Sequence, residues 1–320
     1  MMRIVALVPG GIGDQILFFP TLDSLKQAYP AAQIDVVVEP RAKDAYRVSQ
    51  AVQNTIVFDF AGRNSLADFG NLLGVLRDRA YDIALLFDQS RMLSLLLWLA
   101  GIPIRAGYAD GGNWFLTQAV TPKPDQYAAT RYHSLLKTIN IDLPCAEVTL
   151  SVPTNDLGWA DAERKRLGVH SSGYVLIHPG VEVLNGKNGS SARYPIESWS
   201  NIVEDFEQRQ SSLPIVVVRE AADAEFVNAL IAANPKLRVT TPSDPGKLAA
   251  LIAGANLLLT TDSDALQLAI AVKTYTLALF GTADPKQRLP GDTRFVGLRS
   301  QTGQVADIAP QTVLEKVWSS

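Results

Sequence analysis

Cysteine is nearly absent from this chain, and that narrows the possibilities at once. Cys145 is the only thiol in 320 residues, so neither an intrachain disulfide nor a cysteine-based zinc site can form, which suits a reducing compartment. Surplus charge is missing as well. Lys and Arg number 29 against 32 Asp and Glu, for a net charge of -3, and the two signs are interspersed through both halves; no basic stripe marks a nucleic-acid binder. Long apolar runs are also lacking. The most apolar stretch, Met92 to Ile104, is interrupted by Ser94, Gly101 and Pro103 and falls short of the ~20 residues a spanning helix needs. It reads as a buried helix followed by a turn, with a contact at a membrane surface as the alternative. The opening run to Val8 breaks at Pro9-Gly10-Gly11 with no small-residue cleavage pattern, so it reads as a first strand, without export.

What is present is a folded chain, 47% hydrophobic, and long enough for two domains of roughly 150 residues. Short β-branched runs alternate with helical periods in both halves. Arg3 to Val8, Ile34 to Val38, Thr55 to Phe58, Ile83 to Phe87 and Ile104 to Gly107 read as strands of the first half. Tyr174 to Ile177, Ile215 to Val218, Leu237 to Val239, Asn256 to Leu259 and Tyr275 to Leu279 read as strands of the second. Helical patterns lie between them, including Arg41 to Gln50, Gln126 to Ile139 and a final Pro310 to Trp318 that could cross back to the first domain. Such alternation predicts parallel sheets covered on both faces. The expected architecture is α/β, with two Rossmann-like doubly wound domains facing a cleft. They would span residues 1–150 and 151–320, joined near Asn140 to Asn155, where Pro144 and Pro153 fall.

Three turns follow apolar runs and could carry chemistry. In the first, Gly10, Gly11 and Gly13 allow close backbone approach, and the helix after them aims free N–H groups at the same spot. The spacing is not that of a dinucleotide fingerprint, because Ile16 stands at the third glycine position, and no Gly-Lys-Ser/Thr follows; nicotinamide binding and a P-loop are disfavoured. Asp14 has two readings, a carboxylate that caps the helix start and a general base at the carboxyl edge of the sheet. In the second turn, His178-Pro179-Gly180 leads into a polar loop, Glu182 to Arg193, that suits a diphosphate, with Lys187 and Arg193 as its cations. His178 is either a hydrogen-bonded strand-end residue or part of that site, and Lys187 is either a grip or a solvated charge. The third turn is Thr260-Thr261-Asp262-Ser263-Asp264, opening a helix. Two carboxylates without a nearby histidine make a weak metal signature, so no obligatory metal or other cofactor is expected. His133, on a mostly apolar helix, reads as a packed or capping residue.

Taken in order, these segments resemble glycosyltransferase family 9, the heptosyltransferases of lipopolysaccharide inner-core assembly. The resemblance rests on Gly13-Asp14-Gln15-Ile16-Leu17 with Pro20, Tyr29-Pro30, Ile34 to Val38, Tyr81-Asp82, Leu97 to Ile102 and Gly107-Tyr108 in the first half. In the second it rests on His178-Pro179-Gly180, Arg193-Tyr194-Pro195 with Trp199, Thr261-Asp262-Ser263 and Leu279 to Pro285. It implies a GT-B fold and inverting transfer of a sugar, with ADP-heptose the foremost donor, to a lipid-linked or cell-envelope saccharide. It also implies a cytoplasmic protein, peripheral at the inner face of the membrane. By the same resemblance Asp14 is the base, Arg193 contacts the donor diphosphate, and Asp262 and Ser263 open the phosphate-facing helix. His178, Gly180, Lys187, Thr261, Asp264 and Gln267 complete the expected donor site.

Two features depart from the family pattern. Asp264 stands where a glycine is usual and Gln267 where a histidine is usual, and the loop from Glu182 to Ser191 is long and glycine-rich. A carboxylate beside a diphosphate is unfavourable, which leaves three readings: a donor seated differently, a sugar that uses Asp264, or a family member without transfer activity that binds a sugar nucleotide or acts as a scaffold. For the acceptor, the loops Phe60 to Ser65, Tyr108 to Trp114 and Lys123 to Arg131 are candidates, with Arg63, Arg105 and Arg131 as cations.

Overall fold

The structure, a computed structural model, describes residues 1–62, 64–108, 114–180 and 193–319. It divides into two compact units, Met1–Ser151 and Val152–Ser320.

The first unit runs β1 (Arg3–Val8), α1 (Ile12–Ala28), β2 (Gln33–Val38), β3 (Asn54–Val57), α2 (Leu66–Asp78), β4 (Ile83–Leu86), α3 (Arg91–Leu99), β5 (Ile104–Tyr108), β6 (Gln118–Val120) and α4 (Ala128–Ser134). All its strand pairings are parallel and the order is β3-β2-β1-β4-β5-β6. β1 and β4 are buried along almost their whole length, as strands covered on both faces must be. One face packs Val5, Leu7 and Leu86 against Leu72 and Leu76 of α2 and Leu93 and Leu97 of α3. On α1, Ser24 hydrogen-bonds the buried His133 of α4 at 2.9 Å, and burial holds that imidazole below its usual pKa.

The second unit runs α5 (Thr154–Arg166), β7 (Val175–His178), α6 (Ile196–Arg209), β8 (Ile215–Val218), α7 (Ala224–Ala233), β9 (Arg238–Thr240), α8 (Pro245–Ala253), β10 (Leu257–Thr261), α9 (Asp264–Ala271), β11 (Thr276–Phe280), α10 (Pro285–Arg288), β12 (Phe295–Arg299) and α11 (Pro310–Trp318). Its sheet is again parallel, ordered β12-β11-β10-β7-β8-β9. Trp199 and Tyr194 are fully buried, with rings edge to face at 5.1 Å. α11 packs on α6 of its own unit: Val313 and Leu314 join that core, and Trp318 Nε1 donates to Asp205 at 2.8 Å.

Counted from its first sheet strand, each unit shows the order 3-2-1-4-5-6 of a dinucleotide-binding fold. In such a sheet the chain leaves the first strand towards one side and the fourth towards the other, opening a crevice at the carboxyl ends between them. That switch point lies between β1 and β4 in the first unit and between β7 and β10 in the second.

Four sequence expectations need correction. Residues 40–48 form a 3-10 helix where an α-helix was expected. The helix expected over Gln126 to Ile139 is α4 followed by a 3-10 turn. No helix was expected at α5, of which only the first two residues fall in the stretch read as a linker; its sequence is charged, and of its residues only Asp156 and Ala160 are buried. α3 is not the buried helix its composition suggests, since Met92, Trp98 and Leu99 lie about half exposed.

Candidate active site

Each switch point is built on the same local plan. The first strand ends in Pro9-Gly10 in one unit and Pro179-Gly180 in the other, and both glycines have positive φ, +106° and +57°. An acidic residue follows the second strand in each, Glu39 after β2 and Glu220 after β8.

The first turn is closed upon its own carboxylates. Gly10 N–H donates to Glu39 Oε1 at 3.3 Å and Gly11 N–H donates to Asp14 Oδ2 at 3.1 Å. A Cβ on Gly10 would lie 2.2 Å from Asp14 Oδ2, so glycine is needed there for space as well as for backbone conformation. Beneath the turn, the buried Gln15 side chain donates to Val8 O at 2.9 Å and accepts from the Tyr46 hydroxyl at 2.7 Å. Asp14 is the third residue of α1 and half-buried. The helix-start contact is thus realised, and the carboxylate also stands at the carboxyl edge. The amides that would have cradled an anion already have anionic partners, so this turn is a poor phosphate site and a suitable place for a proton acceptor.

The second turn is arranged differently. Register pairs Thr260 with His178 across β10 and β7, which brings the second and third sequence turns together. Ser263 is the N-cap of α9, yet its side chain makes no capping bond. Its hydroxyl instead contacts Thr260 Oγ1 at 2.9 Å and His178 Nδ1 at 3.4 Å. The start of α9 therefore lacks its own side-chain cap and can receive an anion. Thr261 donates to Pro179 O at 3.3 Å. A Cβ on Gly180 would fall 2.7 Å from Thr261 Oγ1.

The far nitrogen of the buried His178, Nε2, is 3.6 Å from Glu220 Oε1. That neighbour holds the Glu220 carboxyl below its usual range, against the opposing effect of burial. Burial raises the carboxyl of Asp223, which accepts the Glu220 N–H at 2.7 Å. Arg193 lies beside this acidic turn, its guanidinium 5.4 Å from the centre of the Phe226 ring and donating to Ala222 O at 3.5 Å. Asp262 pairs with Arg288 Nε at 3.6 Å. Asp264 is exposed at the first position of α9. Gln267 is buried, and its amide donates to Arg288 O at 3.1 Å, while its Oε1 has no hydrogen-bond partner among the described residues.

His178, Gly180, Arg193, Thr261, Asp262, Ser263 and Asp264 are thus grouped around one switch point, with Gln267 turned towards α10. Lys187 and the rest of the Glu182 to Ser191 loop fall outside the described residues, as does Arg63 of the expected acceptor cations. Arg105 is not open to an acceptor: its guanidinium donates to Phe115 O at 2.6 Å and also to Ile102 O. Glu39, Glu220, Asp223 and Arg288 were missed from sequence. A usable signal for the first two was a carboxylate closely following the second strand of a nucleotide-binding unit, where ribose hydroxyls are held. Among the described residues no group of three or more His, Cys, Asp or Glu gathers to hold a metal. A polar cavity of about 450 Å³ lined by Trp159, Glu163, Arg166, Arg219, Val239 and Thr241 lies beside the edge strand β9.

The chain is 23% identical over 97% of its length, and 72% of the relative's, to the Arabidopsis thaliana photosynthetic NDH subunit of subcomplex B 1 of the chloroplast. It is 25% identical to lipopolysaccharide heptosyltransferase 3 of Escherichia coli, over 85% of this chain and 81% of that one. Its fold is similar to the structure of the E. coli ADP-heptose lipopolysaccharide heptosyltransferase II. The TM-score is 0.79 at 21% identity, with 99% of this chain and 98% of that chain covered. The sequence profile of glycosyltransferase family 9 (heptosyltransferase) matches residues 69–318, and the chain belongs to that family.

Proposed function

We propose that this family 9 glycosyltransferase moves a heptose from ADP-heptose onto a hydroxyl of a lipopolysaccharide or other cell-envelope saccharide, with inversion and without a divalent metal. The carrying observation is the contrast between the two turns: one has filled its amides with its own carboxylates, the other has withdrawn the side-chain cap from a helix start. Asp14 takes the proton of the acceptor hydroxyl as that oxygen bonds to the anomeric carbon. The bond from that carbon to the donor's phosphate oxygen breaks, and its electron pair leaves with ADP. Arg193 and the first turn of α9 stabilise the charge on the leaving diphosphate, the step at which fixed donors contribute most. Glu220 accepts from the ribose hydroxyls. The fold similarity to the E. coli ADP-heptose lipopolysaccharide heptosyltransferase II supports the choice of donor. We place the protein in the cytoplasm, peripheral at the inner membrane face where a lipid-linked acceptor would be met.

A second reading is a sugar-nucleotide binding or scaffolding protein without transfer. Asp264 at the helix start and Gln267 committed to Arg288 favour it, as does the Arabidopsis relative, whose name describes a complex subunit. A thermal-shift panel of ADP, UDP, GDP and CMP with and without magnesium separates the outcomes. A ligand at ~100 times its dissociation constant adds about 2.7 kcal/mol of stability. A magnesium-independent response selective for ADP supports the donor site. A response to another nucleotide replaces the donor, and silence across the panel supports the scaffold.

A further inference from the structure

His178 stands between the two parts of the second turn. It is the last residue of β7 and 3% exposed. Its ring faces the start of α9 with one nitrogen and the acidic turn after β8 with the other: Nδ1 is 3.4 Å from the Ser263 hydroxyl, and Nε2 is 3.6 Å from Glu220 Oε1. Nε2 is buried and has no hydrogen-bond partner among the described residues. A buried nitrogen left unpaired costs free energy. The Glu220 side chain beside it is 45% exposed and can move the short way needed to meet it, as hydrogen bonds of a site without its ligand are often long and tighten on binding.

The neighbours decide where the proton of the ring sits, because the state of each imidazole nitrogen is set by what the two of them face. An ionised carboxylate only accepts, so Glu220 calls for a proton on Nε2. The neutral ring then carries a lone pair on Nδ1, to which the Ser263 hydroxyl donates. The Ser263 oxygen accepts in turn from the Thr260 hydroxyl at 2.9 Å. One line of donors results, from Thr260 to Ser263 to His178 to Glu220. The opposite tautomer would set the Nε2 lone pair against the carboxylate.

We infer that His178 is a positioning residue, held as the Nε2–H tautomer, that fixes the Ser263 hydroxyl with one nitrogen and the Glu220 carboxylate with the other. The first contact keeps Ser263, the N-cap that makes no capping bond, away from the N–H groups of α9 and leaves them for an anion. The second aims the carboxylate. The imidazole lies buried between its two partners and acts through them. Its consequence for nucleotide recognition rests on the donor reading above, in which α9 meets the diphosphate and Glu220 the ribose. The tautomer does not rest on it.

Two measurements test this. Long-range proton–nitrogen correlation spectra of the full chain with isotope-labelled histidine, at pH ~8.5 where an imidazole is neutral, read the tautomer without any nucleotide. The chain has three histidines, and Ser263→Ala singles out the signals of His178. A protonated Nε2 with a bare Nδ1 is expected, and a proton on Nδ1 overturns the inference. The second measurement compares affinity for ADP with that for deoxy-ADP, which lacks a ribose hydroxyl. In His178→Asn the shorter amide can meet Ser263 but not Glu220, whereas in His178→Gln the amide reaches the place of Nε2. The preference for ADP is expected to fall about fivefold or more in His178→Asn and to survive largely in His178→Gln. A merely structural role would weaken both nucleotides alike, so an unchanged preference in His178→Asn overturns the positioning. A native chain that binds neither nucleotide overturns the donor reading, and the spectrum then decides the arrangement of the ring alone.

Discussion

Gly10 and Asp14 fit each other so closely that a single methyl group would separate them: a Cβ on Gly10 would lie 2.2 Å from the Asp14 carboxylate oxygen that accepts the Gly11 N–H. Gly10→Ala would strain a backbone at φ +106° and drive the carboxylate off that N–H. The expected loss of stability is about 1–3 kcal/mol. Transfer should fall further than the shift in melting temperature accounts for, with the ADP response retained. Transfer that follows the melting temperature alone would contradict a placed carboxylate.

Asp264 should oppose the ligand it stands beside. Asp264→Asn keeps the shape and removes the charge at the start of α9. Helix stability should fall by about 0.3–1 kcal/mol, while ADP affinity rises about two- to fivefold, with both effects shrinking at high salt. Titration calorimetry at two ionic strengths reads this, and weaker ADP binding by the variant would mean that Asp264 contacts the donor favourably.

Asp35, remote from either turn, tests the fold of the first unit. Burial disfavours its charge, but hydrogen bonds from Tyr81 at 2.6 Å, Asn54 at 2.9 Å and Arg79 at 2.5 Å outweigh it and hold the carboxyl below its usual range. A depressed folded pKa gives stabilisation that is complete above the unfolded value of about 3.9 and is lost as pH falls through the folded one. Asp35→Asn should therefore be less stable by about 2–3 kcal/mol at neutral pH and lose less than the native chain below pH about 4. Denaturant melts at several pH values compare the two, and parallel curves would contradict the network.

Every strand except β6 and β12 was legible in sequence, the partly exposed β3 and β9 included, and the plainest were those buried on both faces. β1, β4, β7 and β8 are nearly unbroken apolar runs, which a parallel sheet requires. β6, three residues with two exposed, and β12, partly buried and interrupted by Gly297, gave no such signal, and α5, charged and with only Asp156 and Ala160 buried, showed no apolar period. α3 shows a different limit. Leucine, methionine and tryptophan occur on all its sides, so composition cannot say which side is covered. The turns were found because glycine and proline punctuate the chain, and the pairing of Thr260 with His178 joined two of them. Arg288 carried no signal and Glu220 only its place after the second strand of its unit, and the fold brings them to Asp262 and His178.

The most direct test of the central claim is transfer from ADP-heptose to a lipopolysaccharide-type acceptor by the native chain and by Asp14→Asn, with ADP binding measured on both. The account predicts turnover by the native chain, loss of about 10²-fold or more in the variant, and equal ADP affinity. Absence of turnover in the native chain, or a variant that keeps most of it, would contradict the account.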